Sequence, residues 1–147
     1  MELSETDRKI LKNLLEDARF SSRQIAKNMG VSVGTVLSRI RKMEDVGLIK
    51  GYSVILDHEK IGYELTVVTE ITVSKGRLVE MENEIAKIPN VCGVYDVTGL
   101  TDAFIIGKFK SREDLGRFTK NLLALPYVER TNTHVVLATV KENFRLL

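Results

Sequence analysis

The sequence predicts an α+β chain in two parts. A three-helix helix-turn-helix domain with a connecting strand is expected in residues 1–60, and a ferredoxin-like βαββαβ domain in residues 61–147. In the first part, serine and glycine residues mark the limits of three short segments whose apolar residues recur with the period of a helix. In the second part, a strand-helix-strand pattern occurs twice. The two prolines of the chain stand at matching places in that repeat, in Ile88-Pro89-Asn90-Val91 and Leu125-Pro126-Tyr127-Val128.

Two helices are predicted at the start of the chain. Ser4, with Asp7 three residues later, predicts an N-cap and a first helix over residues 6–17. Ser21 and Gln24 have the spacing of a capping box, which predicts the start of a second helix. The positions expected to face inward are Ile10, Leu11, Leu14 and Leu15 in the first helix and Ile25, Ala26 and Met29 in the second.

A third helix is predicted after a very short turn. Gly30 suits the left-handed conformation that ends a helix, and Ser32 is placed to cap a new helix only two residues later. Gly47 marks the end of this third helix. Beyond it, Val54 and Leu56 share one face of an alternating stretch, which predicts a strand connecting the two domains. The apolar stripe expected on the third helix is Val33, Val36, Ile40 and Met43.

The second domain is predicted from alternation and helical periodicity in turn. Two strand-helix-strand units in tandem give a four-stranded antiparallel sheet with both helices on one side. The other side is only partly apolar, with Thr66, Val68, Glu70 and Thr72 on its first strand, so we expect a second copy to cover it in a symmetric homodimer. The elements are strand 65–73, a helix ended by Pro89 with Leu78, Met81, Ile85 and Ile88 on one face, strand 91–97, strand 103–109, a helix from Ser111 and Asp114 to Pro126 with Leu115, Phe118, Leu122 and Leu125 on one face, and strand 128–140.

The short turn between the second and third helices is typical of a helix-turn-helix, whose second helix enters the DNA major groove. Projected at about 100° per residue with Val36 inward, the third helix turns Gly34, Ser38 and Arg41 outward. Residues 23–43 contain five basic side chains and no acidic one. The candidate contacts to double-stranded DNA are Ser21, Ser22 and Arg23 at a helix N-terminus, followed by Ser32, Gly34, Thr35, Ser38, Arg39, Arg41 and Lys42.

Alternatives stay open at this point. Arg39 projects nearer the core than the other basic residues, so pairing with a carboxylate such as Asp7 and contact with DNA are equally good interpretations. A plain helical bundle shows the same apolar periodicity. The basic block by itself fits a solvated helix face as well as a specific anionic contact.

A set of short motifs extends along the chain. They are Asp7-x-x-Ile10-Leu11-x-x-Leu14, Ala18-Arg19, Ile25-Ala26, Gly30-Val31-Ser32, Thr35-Val36-x-x-Arg39-Ile40, Met43-Glu44, Gly47-Leu48-Ile49, Gly51-Tyr52, Val97-Thr98-Gly99-x-x-Asp102, Asn132-Thr133 and the strand Val135-Val136-Leu137. In this combination the chain resembles the Lrp/AsnC, or feast/famine, family of transcription regulators over essentially its whole length.

The resemblance implies a regulator that binds a pseudo-palindromic DNA site, with a second domain for effector binding and assembly. It also implies homodimers that often associate into octamers, and effectors that are commonly amino acids bound between dimers. The family often has an aromatic residue just before the loop aspartate, where this chain has Thr101. The effector-binding residues implied are Gly99, Leu100, Thr101 and Asp102, with Thr131 and Thr133 as weaker neighbours.

The chemistry of the loop agrees with an amino-acid ligand without requiring one. The Asp102 carboxylate can receive an α-ammonium group, and backbone N–H groups around Gly99 can receive a carboxylate. Glycine and aspartate are also common in hairpin turns, so a purely structural loop is an equally good interpretation of residues 98–102.

Composition narrows the function classes further. Cys92 is the single cysteine, which excludes an intramolecular disulfide and a site built on several thiolates. His58 and His134 lack ligand spacing, so neither a metal nor another cofactor is expected. The net charge of +2 is too small by itself to indicate nucleic acid. No apolar run is long enough for a membrane span and the N-terminus lacks a signal-peptide core, so a cytoplasmic protein is expected.

Two other function classes compete with a regulator. Some tetrapyrrole decarboxylases share this two-part architecture, but such an enzyme needs basic and histidine side chains around its pocket, and His134 is the only histidine after residue 60. A ligand-sensing or assembly module without its own DNA target would bind DNA weakly and through salt-dependent contacts alone. The acid-free face of the third helix favours the regulator, and we expect no enzyme activity.

Overall fold

The computed structural model describes residues 2–147, which form two compact units. One unit holds the chain up to Ile55 together with Glu142–Leu147, and the other holds Leu56–Lys141. Within the described residues, no helix is long and apolar enough to cross a membrane.

The first unit contains three helices, each begun by a serine whose hydroxyl accepts a hydrogen bond from the backbone N–H three residues later. These caps satisfy donors that the first turn of a helix leaves without an intrahelical partner. The helices are α1 (Glu5–Glu16), α2 (Ser22–Met29) and α3 (Val33–Asp45). The buried core they enclose consists of Ile10, Ile25, Ala26, Val36 and Met43.

Two local predictions for this unit were wrong. Only half of the capping box at Ser21 forms, because the Gln24 side chain donates to the amide oxygen of Asn28 instead of turning back to the cap. Val33 is exposed rather than buried. It begins α3 and lies about 60° from Val36 around the helix, at the edge of the apolar arc.

The predicted connecting strand through Val54 and Leu56 does not form. A strand needs a neighbouring backbone to accept and donate its hydrogen bonds, and none of the described strands pairs with this segment. Val54, Ile55 and Leu56 are exposed instead.

The second unit is the predicted ferredoxin-like sandwich. Its four strands form one antiparallel sheet in the order β2-β3-β1-β4. In the centre, Val67 pairs with Gly107 on one side and with Val135 on the other. The elements are β1 (Leu65–Val73), α4 (Leu78–Ile85), β2 (Val91–Asp96), β3 (Ala103–Phe109), α5 (Arg112–Ala124) and β4 (Val128–Val135).

The core of this unit lies on the inner side of the sheet, where alternate residues of β1 are buried as predicted. The last strand was predicted too long, because β4 ends at Val135 rather than at Val140. The final backbone bond to β1 runs from the N–H of Val136 to Thr66, and β1 itself begins at Leu65. Because the two strands are antiparallel, β4 therefore ends opposite the residues where β1 begins. The first helix of the repeat also ends early, at Ile85 instead of Ile88.

Candidate nucleic-acid interface and ligand loop

The turn between α2 and α3 is held by backbone geometry. Gly30 has a φ of 67°, in the left-handed region, and ends α2. The N–H of Val31 donates to the carbonyl of Ala26 over 3.1 Å. Ser32 then begins α3 by accepting from the N–H of Thr35, also over 3.1 Å. These bonds determine where α3 starts relative to α2.

The outward side of α3 carries small and basic side chains in contact with solvent. Gly34, Thr35, Ser38, Arg41 and Lys42 are all exposed. The glycine and the serine permit close approach of another molecule, while the two cations are long enough to reach base acceptors or phosphates. Five of the contact residues predicted on this helix therefore lie on one exposed side, and Arg39 does not.

The cations of this surface form no direct ion pairs. Among residues 2–147, none of Arg23, Lys27, Arg41 and Lys42 forms an ion pair with a carboxylate. Lys42 is near enough to Asp7 to lower the pKa of that carboxyl, but it forms no direct ion pair with it. Cations that are not held in ion pairs attract a polyanion, and their counterion-dependent binding makes the affinity sensitive to salt.

Arg39 differs from these cations because it pairs with Asp7. Its guanidinium Nη1 lies 3.7 Å from the Asp7 carboxylate, which is buried. The same carboxylate accepts from the hydroxyl and the N–H of Ser4 at 2.6 and 3.0 Å. The hydrogen bond from the Ser4 hydroxyl is the main reason why the pKa of Asp7 is lowered, and the nearby Arg39 lowers it further. Of the two interpretations of Arg39, the ion pair is present in the structure.

The start of α2 presents the second group of predicted contacts. The Ser21 hydroxyl accepts from the N–H of Gln24 over 3.2 Å, so it serves as the cap. Ser22 is half-buried and Arg23 is exposed. The N–H groups of the first helical turn have no partner within the helix and can donate to a phosphate.

Sequence reasoning missed a chain of side-chain amides that ties α2 to α1. Gln24 donates to Asn28 over 2.9 Å, Asn28 donates to Asn13 over 2.8 Å, and Asn13 donates to the carbonyl of Lys9. The spacing of Gln24 and Asn28 by four residues was a visible signal for the first bond. The bond to Asn13 spans fifteen positions and depends on how the helices pack.

The predicted ligand loop is anchored to the end of β1. The Thr101 hydroxyl donates to the carbonyl of Ile71 over 2.8 Å, and the N–H of Asp102 donates to the same carbonyl over 2.9 Å. One carboxylate oxygen of Asp102, Oδ2, accepts from the N–H of Val73 at 2.8 Å. The other oxygen, Oδ1, accepts no bond from the described residues. The Oδ2 atom of Asp102 therefore anchors the loop, whereas Oδ1 can accept a bond from a ligand.

The other predicted loop residues are split between solvent and the sheet. Gly99 and Leu100 are exposed at the tip of the loop. Thr131 lies directly across from Ile71 in the sheet, close to the anchor of the loop. Thr133 is farther along β4, where its hydroxyl bonds that of the buried Thr69 over 3.0 Å.

Residues 2–147 contain no group of three His, Cys, Asp or Glu side chains that could hold a metal ion. His134 bonds Glu70 over 2.9 Å on the sheet. A small hollow of about 200 Å³ includes His58, Cys92 and Lys108 in its wall, and a larger one of about 660 Å³ in the first unit is lined mainly by α1 and residues 48–55.

Comparisons with known proteins cover both units. A model of the Lrp/AsnC ligand binding domain matches residues 66–146, and a model of winged helix-turn-helix DNA-binding domains matches residues 3–50. An uncharacterised HTH-type transcriptional regulator of Pyrococcus furiosus is 51% identical over 146 residues, covering 99% of each chain. The HTH-type transcriptional regulator FL11 of Pyrococcus horikoshii is 35% identical over 144 residues, covering 98% of this chain and 95% of FL11.

Solved structures share the fold along the whole chain. LrpC of B. subtilis superposes with a TM-score of 0.86 at 26% identity, covering 97% of this chain and all of LrpC. A transcriptional regulator from Neisseria meningitidis, solved as a complex with L-Met, superposes with a TM-score of 0.90 at 24% identity. That match covers 99% of this chain and 97% of the Neisseria chain.

Proposed function

The chain belongs to the Lrp/AsnC family of transcriptional regulators and is a DNA-binding regulator, and from this premise we propose that the exposed face of α3 reads its DNA target. The observation that carries the proposal is the composition of that face, where Gly34 and Ser38 stand beside the unpaired Arg41 and Lys42. In a symmetric dimer, two copies of α3 would meet a pseudo-palindromic site whose half-sites lie about 34 Å apart.

Selection of bound sequences from a random duplex pool, with and without mixed amino acids, tests this proposal. We expect one enriched pseudo-palindrome. Arg41→Ala and Ser38→Ala should each weaken binding to it by ~1–3 kcal/mol while leaving other duplexes less affected. Lys42→Ala should weaken binding to all duplexes alike and reduce the salt slope by about one unit.

Matched controls come from the exposed side of α5 in the other unit. Arg112→Ala and Lys120→Ala remove the same charges from exposed positions and should leave DNA binding unchanged. If the parent protein binds all duplexes weakly and by salt-dependent contacts alone, the chain is a sensing or assembly module without its own target. If the α3 variants bind like the controls, the DNA-reading face is elsewhere.

We further propose that the protein acts as a homodimer joined through the outer side of the sheet. Val68, Phe104 and Ile106 lie on that side and are only half-buried, and Tyr95 is exposed beside them. The ring of Tyr95 lies over Gly93, where an added Cβ would come within 2.7 Å of it. The same side also carries the hydrogen-bonded pair of His134 and Glu70, so it is partly apolar. A sheet face with apolar side chains near its centre is well covered by a second copy of itself.

Sedimentation velocity tests the dimer. Ile106→Glu places a charge in the middle of the proposed interface and should convert dimers, and any octamers built from them, to monomers. Val79→Glu adds the same charge to an exposed valine on α4 and should leave the assembly unchanged. An Ile106→Glu protein that sediments like the parent would place the interface on another surface.

We also propose that the loop at residues 99–102 binds an amino-acid effector. Asp102 Oδ1 is available for an α-ammonium group, and the exposed backbone at Gly99 for a carboxylate. The L-Met complex of the Neisseria regulator, which has this fold, supports the class of ligand. The experiment is calorimetric titration of the parent and of Asp102→Asn with single amino acids.

The choice of asparagine separates ligand binding from folding. Its amide oxygen can still accept from the N–H of Val73, whereas Asp102→Ala leaves that donor unpaired and should cost about 1–3 kcal/mol of stability. We expect Asp102→Asn to keep the melting temperature and DNA affinity of the parent and to lose the effector response. Unchanged effector affinity in that variant would remove Asp102 from the site.

A further inference from the structure

Two apolar side chains are exposed beside the DNA-facing residues of α3. Leu37 is 52% exposed and Val33, one helical turn earlier, is 38% exposed. Neither belongs to the buried core of the first unit or to the half-buried apolar residues that pack against it. Their place on the helix thus has no explanation in the packing of this unit.

Their position relative to the polar residues of the face is defined by helix geometry. Leu37 lies about 40° around the helix from Arg41 and about 60° from Gly34. Val33 lies about 40° beyond Leu37, farther from Gly34 and at the N-terminal end of the helix. The N-terminal part of a recognition helix is the part that usually meets base edges. The two apolar side chains therefore flank the surface assigned to DNA.

The major groove contains one apolar group that such side chains can recognise, the C5 methyl of thymine. Cytosine, adenine and guanine carry no methyl group at the corresponding edge. A leucine beside an arginine thus matches a thymine that neighbours a hydrogen-bond acceptor. A single exposed leucine is common on protein surfaces, but Val33 and Leu37, four residues apart on one side of this helix, form a continuous apolar strip.

We propose that Leu37, supported by Val33, contacts the C5 methyl of a thymine in each half-site and makes that thymine a determinant of specificity. This inference rests on the proposed function, because it requires α3 to lie in the major groove. It adds a base preference to the binding surface that the polar residues alone do not give.

Replacement of thymine by deoxyuridine tests the proposal directly, because it removes the methyl group and keeps every hydrogen-bonding group of the base. Each thymine of one half-site in the selected duplex is replaced in turn, and the dissociation constant is measured by fluorescence anisotropy. For the parent protein, one or two positions should show about fourfold weaker binding, the effect of one methyl-sized apolar group. Leu37→Ala should bind the thymine and deoxyuridine duplexes equally at one of these positions.

Leu123→Ala is the matched control. Leu123 is 54% exposed on α5 in the other unit, so the same truncation is made at the same exposure away from DNA. This variant should keep the full sensitivity to deoxyuridine. Alanine is a strong helix former, so Leu37→Ala should keep the melting temperature of the parent, and a circular dichroism melt confirms that the comparison is between folded proteins.

Each other outcome overturns the inference in a different way. If the parent binds its selected site but no deoxyuridine substitution matters, the thymine contact is wrong while the proposed function stands. If Leu37→Ala changes the sedimentation of the free protein instead of its uracil sensitivity, the strip serves contact between copies. If no specific site is selected at all, both the proposed function and this inference fail.

Discussion

Gly34→Ala should make the protein more stable and a poorer DNA binder. Gly34 lies in the first turn of α3, outside the left-handed φ region. An added Cβ would meet only the hydroxyl oxygen of Ser32, at an ordinary contact distance of 3.8 Å. The methyl group therefore fits the free protein without strain.

The expected gain in stability follows from helix propensity. A glycine inside a helix is less favourable than alanine by roughly 0.5–1 kcal/mol, because glycine loses more backbone freedom on folding. For a unit of this small size, that free energy corresponds to a rise in melting temperature of about 2–8 °C. On the DNA side, the same methyl group enters the space between α3 and the base edges. Overpacking of a close interface costs about 1–3 kcal/mol, which is roughly a 5- to 150-fold loss of affinity.

The assay pairs a thermal melt with anisotropy binding to the selected duplex, on one preparation. Gly116→Ala is the control, because Gly116 lies inside α5 with no atom within 4 Å of an added Cβ. It should raise stability by a similar amount and leave DNA affinity unchanged. Undiminished DNA affinity in Gly34→Ala would show that the bases do not approach Gly34, and a lower melting temperature would contradict the reasoning on space and strain.

Two further predictions concern titrating groups. The pKa of Asp7 is lowered from 3.8, chiefly by the hydrogen bond from Ser4, so its contribution to stability is complete above that value and is lost as pH falls below it. Asp7→Asn should therefore lower the free energy of unfolding by ~1 kcal/mol at neutral pH, and the difference from the parent in urea unfolding should shrink below about pH 4; a difference independent of pH would contradict the charge-dependent cap. Burial, together with the hydrogen bond that its hydroxyl donates to Glu84, raises the pKa of Tyr127 to about 12. The contribution of the phenol to stability is therefore present below its ordinary pKa of 10 and is lost as pH rises toward 12. Tyr127→Phe should cost about 0.5–1.5 kcal/mol at neutral pH, and the parent should lose more stability than the variant between pH 9 and 11 in the same measurement; parallel losses would exclude this role for the phenol.

The helix boundaries show which features follow from short stretches of sequence. Ser4, Ser32 and Ser111 each cap a helix as predicted, and Gly30 adopts the left-handed conformation that its position required. These outcomes depend on bonds between residues three or four positions apart. The alternation in β1 likewise predicted its buried face, because successive side chains of a strand point to opposite sides of the sheet.

The candidate sites needed contacts that no short stretch contains. Asp102 was predicted as a ligand residue, but its bond to Val73 spans twenty-nine positions and could be seen only in the folded sheet. The choice of Arg39 between Asp7 and DNA depended on how α1 packs against α3. The position of Leu37 around α3 follows from the sequence. Its exposure does not, because it depends on which residues of the folded unit pack against it, and Leu37 is not part of the described core.

The sequence alone determined where helices begin and which faces are apolar, because those features depend on residues within one or two turns of each other. It also showed which family the chain resembles, through short motifs that can be compared directly along the chain. The tertiary structure decided where strands end, which polar side chains are already engaged and which apolar ones remain exposed. Hydrogen bonds and packing between distant segments make those decisions, since a strand or a carboxylate can use only the partners that the fold brings within reach.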